Sequence, residues 1–271
     1  MNHNITIIGG GNLGTAIAEG LADASGDYKI TITRRRPELI KHLEIKNICV
    51  ISDNVAALKD SGVIILAVKP HQIDAVLEEL EPFLKNQIII SMVTGKTLQE
   101  LRTLTGSEAA LFRAMPNTAI ARRQSMTCIS SDNADEKQIA LVSDLFRALG
   151  EVAVIQDELM DAATVLGSCG IAFALRYIRA AMQGGIQIGF SSETALLITA
   201  QTVKGAASLL LDQKSHPEQE IDKVTTPQGC TIAGINQMEH EGFSSSLIKG
   251  INTSFEAIEQ IKTANKKMNA K

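Results

Sequence analysis

Along the first 155 residues, short apolar runs alternate with segments of helical spacing. Asn4–Gly9, Lys29–Thr33, Ile48–Ile51, Val63–Val68, Ile88–Ser91 and Ala110–Ala114 are rich in Ile and Val and end in turn residues, which predicts strands. Between them, Leu13–Ala24, Gln72–Leu84 and Leu98–Leu104 repeat apolar positions every three or four residues, which predicts amphipathic helices. Strands separated by helices imply βαβ units and a parallel sheet. A further pair of strand-like runs, Ser125–Ile129 and Glu151–Ile155, flanks the helical pattern Asp135–Ala148. After residue 156 the strand pattern stops. Segments 158–182, 192–212, 228–241 and 244–267 all carry helical spacing, with Gly184-Gly185, His216-Pro217 and Glu241-Gly242 as punctuation. The expected fold class is α/β: a doubly wound, mostly parallel sheet in residues 1–157, followed by an all-α domain in residues 158–271.

Composition narrows the function classes. The chain has 271 residues, 45% hydrophobic and 21% charged, which is an ordinary globular mix. A net charge of −4, 3% aromatics and no Trp argue against a nucleic-acid partner. The N-terminal residues lack a basic region and a cleavage site, so no signal peptide is expected. Residues 162–175 carry no charge but are too few to span a bilayer, so they read as a buried core helix, with no membrane partner. Cys49, Cys128, Cys169 and Cys230 are scattered, which predicts free thiols, no metal site and a reducing, cytoplasmic setting.

The first strand runs into Gly9-Gly10-Gly11-Asn12-Leu13-Gly14, a G-x-G-x-x-G pattern at a strand–helix junction. In that context it is the dinucleotide-binding fingerprint of a Rossmann-type domain. Gly9 permits the turn, Gly11 lets a pyrophosphate approach the backbone, and Gly14 lets helix and strand pack closely. The start of the helix, at Asn12 and Leu13, offers free N–H groups to the phosphates. The second strand ends in Thr33-Arg34-Arg35-Arg36, where NAD enzymes usually carry an acid. An arginine pairs with a 2′-phosphate, so Arg34 and Arg35 favour NADPH, with NADH as the alternative. Asn54, after the third strand, is placed to reach the adenosine half. Ala67, Val68, Lys69 and Pro70 close the fourth strand at the carboxyl edge, where such sheets bind their ligands. His71 reads as a surface residue.

Three later segments are more specific: Arg113-Ala114-Met115-Pro116-Asn117-Thr118, Gly167-Ser168-Cys169-Gly170, and Asp222-Lys223-Val224-Thr225-Thr226-Pro227-Gln228-Gly229-Cys230-Thr231-Ile232. Together with the glycine motif, they make the chain resemble pyrroline-5-carboxylate reductase from Ile5 to about Ile261. The resemblance implies reduction of 1-pyrroline-5-carboxylate to L-proline with NAD(P)H, the last step of proline biosynthesis. It implies a helical domain that interleaves with a second copy, giving a homodimer that can assemble into a decamer. It places the site between the Rossmann edge and the helical domains. It implies that Ser168, Thr225, Thr226, Gly229, Cys230 and Thr231 meet the substrate, with the Thr231 hydroxyl facing the ring nitrogen; Asn117, at the edge of the sixth strand near the expected nicotinamide, is placed either to bond the carboxamide or to orient the substrate. Where the family has serine–proline–glycine–glycine, this chain has Thr226-Pro227-Gln228-Gly229. Gln228 adds a side chain there.

The same residues have a direct physical reading. Thr226-Pro227 looks like an N-cap followed by N1, which predicts a helix beginning at Gln228. Its free N–H groups, from Gly229 to Thr231, would cradle a carboxylate. A protonated cyclic imine accepts hydride without a strong general acid, and these motifs offer none. A β-hydroxyacid dehydrogenase would carry a lysine in the helix after Gly170, but Ile171 to Arg176 contains none. The remaining alternatives are a non-catalytic NADPH-binding sensor or scaffold, and a reductase of another small cyclic imine.

Overall fold

The computed structural model describes residues 3–24, 28–106, 108–213 and 215–269. They fall into two compact units. One runs to Cys169 and resumes at Phe255; the other is Gly170–Ser254.

The first unit is built on an eight-stranded sheet. Its strands are β1 (His3–Ile8), β2 (Tyr28–Thr33), β3 (Cys49–Ile51), β4 (Val63–Leu66), β5 (Ile88–Ser91), β6 (Leu111–Met115), β7 (Ser125–Asp132) and β8 (Gly150–Val154). They lie in the order β3-β2-β1-β4-β5-β6-β7-β8. The first six reproduce the 3-2-1-4-5-6 order of a doubly wound dinucleotide fold. All neighbours are parallel except β6 and β7. The connection between those two, residues 116–124, is too short for a parallel crossover, which takes about a dozen residues or more.

Helices α1 (Asn12–Ala22), α2 (Asn54–Ala57), α3 (Ile73–Leu80), α4 (Leu98–Thr105) and α5 (Glu136–Arg147) connect the strands. Strand alternation sorts the core into two layers. Ile5, Ile7, Val63, Ile65, Ile90 and Phe112 pack with Ile17 and Leu21 of α1 and Phe146 of α5. Ile8, Ile64, Leu66, Ile89 and Leu111 pack with Leu77 of α3 and Leu101 of α4. Both faces of the sheet are therefore covered, as near-continuous apolar strands require.

Past β8 the chain is helical: α6 (Met160–Ala163), a wide π turn (Thr164–Cys169), α7 (Gly170–Gln187), α8 (Ser192–Gln213), α9 (Pro217–Val224), α10 (Cys230–His240) and α11 (Phe243–Asn269). The periodicity predicts one uninterrupted helix over 158–182. Instead a π turn is inserted, and the Asn117 side chain donates to the Gly167 carbonyl within it at 3.1 Å.

The two X-Pro pairs of this region behave differently. His216-Pro217 lies in the break between α8 and α9, as its punctuation predicts, and also starts α9: Pro217 is at the first helical position and the His216 ring accepts from the Glu218 N–H. Thr226-Pro227, a helix start by its residue types, instead forms a turn closed by the Gly229 N–H donating to the Thr226 carbonyl at 3.0 Å. Pro227 second and Gln228 third, at φ +59°, give the residue order and sign of φ of a type II turn. The helix begins later, at Cys230, with Gly229 as its N-cap.

Candidate active site

The carboxyl edge of β1, β2 and β4 opens onto a cleft of about 1050 Å³. The glycine turn forms its floor. Gly9 sits at φ +112°, and a Cβ there would come within 2.6 Å of the Ala67 carbonyl oxygen, so this position requires glycine. At Gly14 a Cβ would strike the Gly9 carbonyl oxygen at 2.2 Å, which is the close strand–helix packing read from the sequence. At Gly11 a Cβ would meet nothing within 4 Å. The backbone there is open to an incoming group, beside the N-terminus of α1, whose N-cap has no side-chain hydrogen bond. A diphosphate fits this combination of open backbone and helix start.

The end of β2 is laced to the turn. Gly9 and Gly10 donate their N–H groups to the Thr33 carbonyl, and Arg34 Nη1 donates to the Gly10 carbonyl at 2.9 Å. Arg34, Arg35 and Arg36 all line the cleft. Glu38, the first carboxylate after β2 in the sequence, is exposed and does not line it. Opposite, Asn54 accepts from the Thr33 hydroxyl at 2.7 Å and donates to Glu79 at 3.0 Å.

Of the residues assigned to the dinucleotide, the cleft brings together Gly9, Gly11, Arg34, Arg35, Asn54, Ala67, Val68 and Lys69. Asn12, Leu13 and Gly14 start α1 behind the turn, and Pro70 lies just beyond Lys69 at the surface. Asn117 lies outside the cleft lining and is 6% exposed. Its amide donates to Gly167 and accepts from Ala119, so it fixes the π turn that carries Ser168. Sequence reasoning missed the wall contributed by Gln72, Ala75, Val76 and Glu79. Their i, i+3, i+4, i+7 spacing was a legible signal for one face of a helix. His71, read as surface, is exposed on the rim of the cleft.

In the second unit, Thr225, Thr226, Gly229, Cys230 and Thr231 form one turn and helix start. The Thr225 hydroxyl donates back to Ile221 at 2.7 Å. A Cβ at Gly229 would lie 2.5 Å from the Thr226 hydroxyl and 3.0 Å from its carbonyl oxygen, so the turn closes tightly on itself here and a side chain would force the Thr226 hydroxyl to move. The Gly229 N–H is already bonded to Thr226, which corrects the expected donor set: the free donors begin at Cys230. No side chain caps α10.

Comparison with known proteins agrees with this geometry. A family model described as pyrroline-5-carboxylate reductase dimerisation matches residues 157–261, and one described as NADP oxidoreductase, coenzyme F420-dependent, matches residues 4–95. Pyrroline-5-carboxylate reductase 2 of Dictyostelium discoideum is 43% identical over 99% of this chain and 96% of its own. The chain belongs to the pyrroline-5-carboxylate reductase family. A second Dictyostelium discoideum relative, pyrroline-5-carboxylate reductase 1, is 45% identical over 93% of this chain, which spans only about half (49%) of that protein's length. The solved pyrroline-5-carboxylate reductase of Coxiella burnetii superposes with a TM-score of 0.90 at 30% identity, covering 96% of this chain and 98% of its own.

Membership in this reductase family accounts for the surface of the second unit. Leu175 of α7 is 58% exposed, and Leu197 and Leu211 of α8 are 69% and 70% exposed in the single chain. Stretches 157–187 and 192–212 are long and apolar enough to cross a membrane by length and composition alone. Both fall within the dimerisation match, so their apolar faces are those of a self-associating protein.

A buried charge cluster anchors the end of the first unit. Arg113 is 3% exposed, donates to Asp157 at 2.7 Å and has Asp161 at 3.8 Å, while Lys262 of α11 pairs with Asp161. This last pair helps explain why the chain after Phe255 belongs with the first unit. Burial alone would raise the Asp157 carboxyl. The hydrogen bond and charge of Arg113, with the Ser130 hydroxyl and the Leu98 N–H, more than offset that and hold it below the ordinary carboxylate range.

Proposed function

We propose that this chain reduces the C=N bond of 1-pyrroline-5-carboxylate to give L-proline, the last step of proline biosynthesis, with NADPH preferred over NADH. The observation that carries the reading is a cleft with an open Gly11 floor and an arginine rim, on a chain 43% identical almost end to end to a curated reductase.

When bound, the nicotinamide supplies a hydride at C4. The chain's own residues bind and orient. The glycine turn and the start of α1 take the pyrophosphate. Arg34 and Arg35, with Asn54 beside them, favour a 2′-phosphate over a bare hydroxyl. In the second unit, the N–H groups from Cys230 onward, with Thr225 and Thr226, cradle the substrate carboxylate. The Thr231 hydroxyl bonds the ring nitrogen and fixes the imine for attack. Ser168, on the π turn held by Asn117, adds a further contact to the substrate. No general acid is needed, because a cyclic imine is basic enough to take its proton from water.

Residues 1–157 serve the dinucleotide, and residues 158–271 serve the substrate and the second copy. The working form is a cytoplasmic homodimer that assembles further, up to a decamer.

Incubation with NADPH and racemic pyrroline-5-carboxylate, with chromatography of the products, tests the reading. One proline formed per NADPH oxidised is expected. NADPH bound but neither oxidised nor matched by proline would point instead to a sensor or to another imine.

A further inference from the structure

The acid missing from the end of β2 is supplied from another element. Glu79 lines the dinucleotide cleft on α3, exposed, with Arg34, Arg35 and Arg36 on the same lining. It reaches the β2 end through one intermediary: Glu79 accepts from Asn54 Nδ2 at 3.0 Å, and Asn54 Oδ1 accepts from the Thr33 hydroxyl at 2.7 Å. A carboxylate only accepts, so the amide nitrogen must face Glu79 and its oxygen must face Thr33. The orientation of Asn54 is thus fixed by chemistry. Among the described residues, no ion pair joins Glu79 to an arginine of the rim.

We propose that Glu79 is a specificity-determining residue for the nicotinamide cofactor, holding the NADPH preference below the level the rim arginines alone would set. This rests on the reading of Arg34 and Arg35 given above. The end of β2 is where doubly wound folds read the ribose 2′ position. A 2′-phosphate bound there gains from the guanidinium groups and is repelled by the carboxylate one side chain away. A bare 2′-hydroxyl suffers no such repulsion and can donate to a carboxylate, as it does to the acid of an NAD enzyme. Glu79 therefore works against the arginines, and the balance between them sets which cofactor the reductase takes.

Calorimetric binding of adenosine 2′,5′-bisphosphate and of 5′-AMP to the full-length protein separates the parts, with no need for turnover. For Glu79→Gln, which keeps an oxygen to hold Asn54, we expect binding of the bisphosphate to tighten about three- to tenfold while 5′-AMP changes less than about twofold. The gain should shrink between about 50 mM and about 500 mM salt, as screening requires. Glu79→Ala also releases Asn54 and weakens both ligands, but the ratio of the two affinities should still move toward the bisphosphate. A ratio unchanged in both variants would overturn the proposal and leave Glu79 as a prop for Asn54. The wild-type ratio is a separate readout: a wild type that binds 5′-AMP more tightly than the bisphosphate contradicts the arginine reading, whatever Glu79 does.

Discussion

In the first unit Ile7, Ile65, Leu111 and Phe112 are at most 1% exposed, whereas in the second Leu175, Leu197 and Leu211 are 58–70% exposed in the single chain. The sheet is covered on both faces by helices of its own chain. Among its described residues the helical unit keeps few buried apolar side chains, Met182 and Ala195 among them. Its stability has to come from a surface outside itself, which is what a dimerisation domain supplies. The sheet half thus buries its core within one chain, whereas the helical half leaves apolar faces open for association.

Two substitutions separate these modes of stabilisation. Ile65→Ala in β4 opens a cavity in the sheet core and should cost about 3–4 kcal/mol, independent of protein concentration in a denaturant titration. Leu197→Asp in α8 should instead weaken self-association about thirtyfold or more, seen as dissociation on dilution in light scattering. Dinucleotide binding should persist in that variant. If Leu197→Asp leaves the oligomer intact, this face is not the interface.

A smaller effect sharpens the electrostatic side. Asp157→Asn removes the main partner of the buried Arg113 guanidinium and should cost about 3 kcal/mol at neutral pH. Asp157 titrates below its ordinary value in the folded state, so its contribution is present above the unfolded pKa of about 3.9 and is lost as pH falls through the folded value. Wild type and variant should therefore converge in acid. A gap that persists once Asp157 is protonated in the folded protein would place the effect in packing instead.

In the second unit, Thr231→Ala should lower kcat/KM about tenfold or more with Tm unchanged, and Thr231→Ser should restore most of the loss. An unchanged kcat/KM would remove the hydroxyl from the mechanism. The smallest effect belongs to Gln228→Gly. Relief of φ +59° outweighs the added freedom of the unfolded chain and should stabilise the protein by about 0.5 kcal/mol in a thermal melt.

The legibility of the sequence follows the same division. Strand periodicity located all eight strands to within a few residues; the signal is clearest in β4 and β5, which are buried along their whole length and read as near-continuous aliphatic runs, and weaker in the partly exposed β3 and β8. The glycine turn was legible because its three constraints are backbone constraints. Glu79 was not assigned: it joins the site through Asn54, and that pairing of α3 with the β2 end is a tertiary fact. The turn at Thr226 was misplaced because Thr-Pro is also a good cap, and only the positive φ of Gln228 shows that the helix starts later. The second unit was legible as helices, but the faces they expose needed the structure.

The most direct measurement is a turnover with NADPH dideuterated at nicotinamide C4 and pyrroline-5-carboxylate, followed by mass spectrometry and NMR of the product. The account predicts proline carrying one deuterium, on the ring carbon next to nitrogen and remote from the carboxylate. Proline without deuterium at that carbon, or no proline from a protein that binds the cofactor, would contradict it.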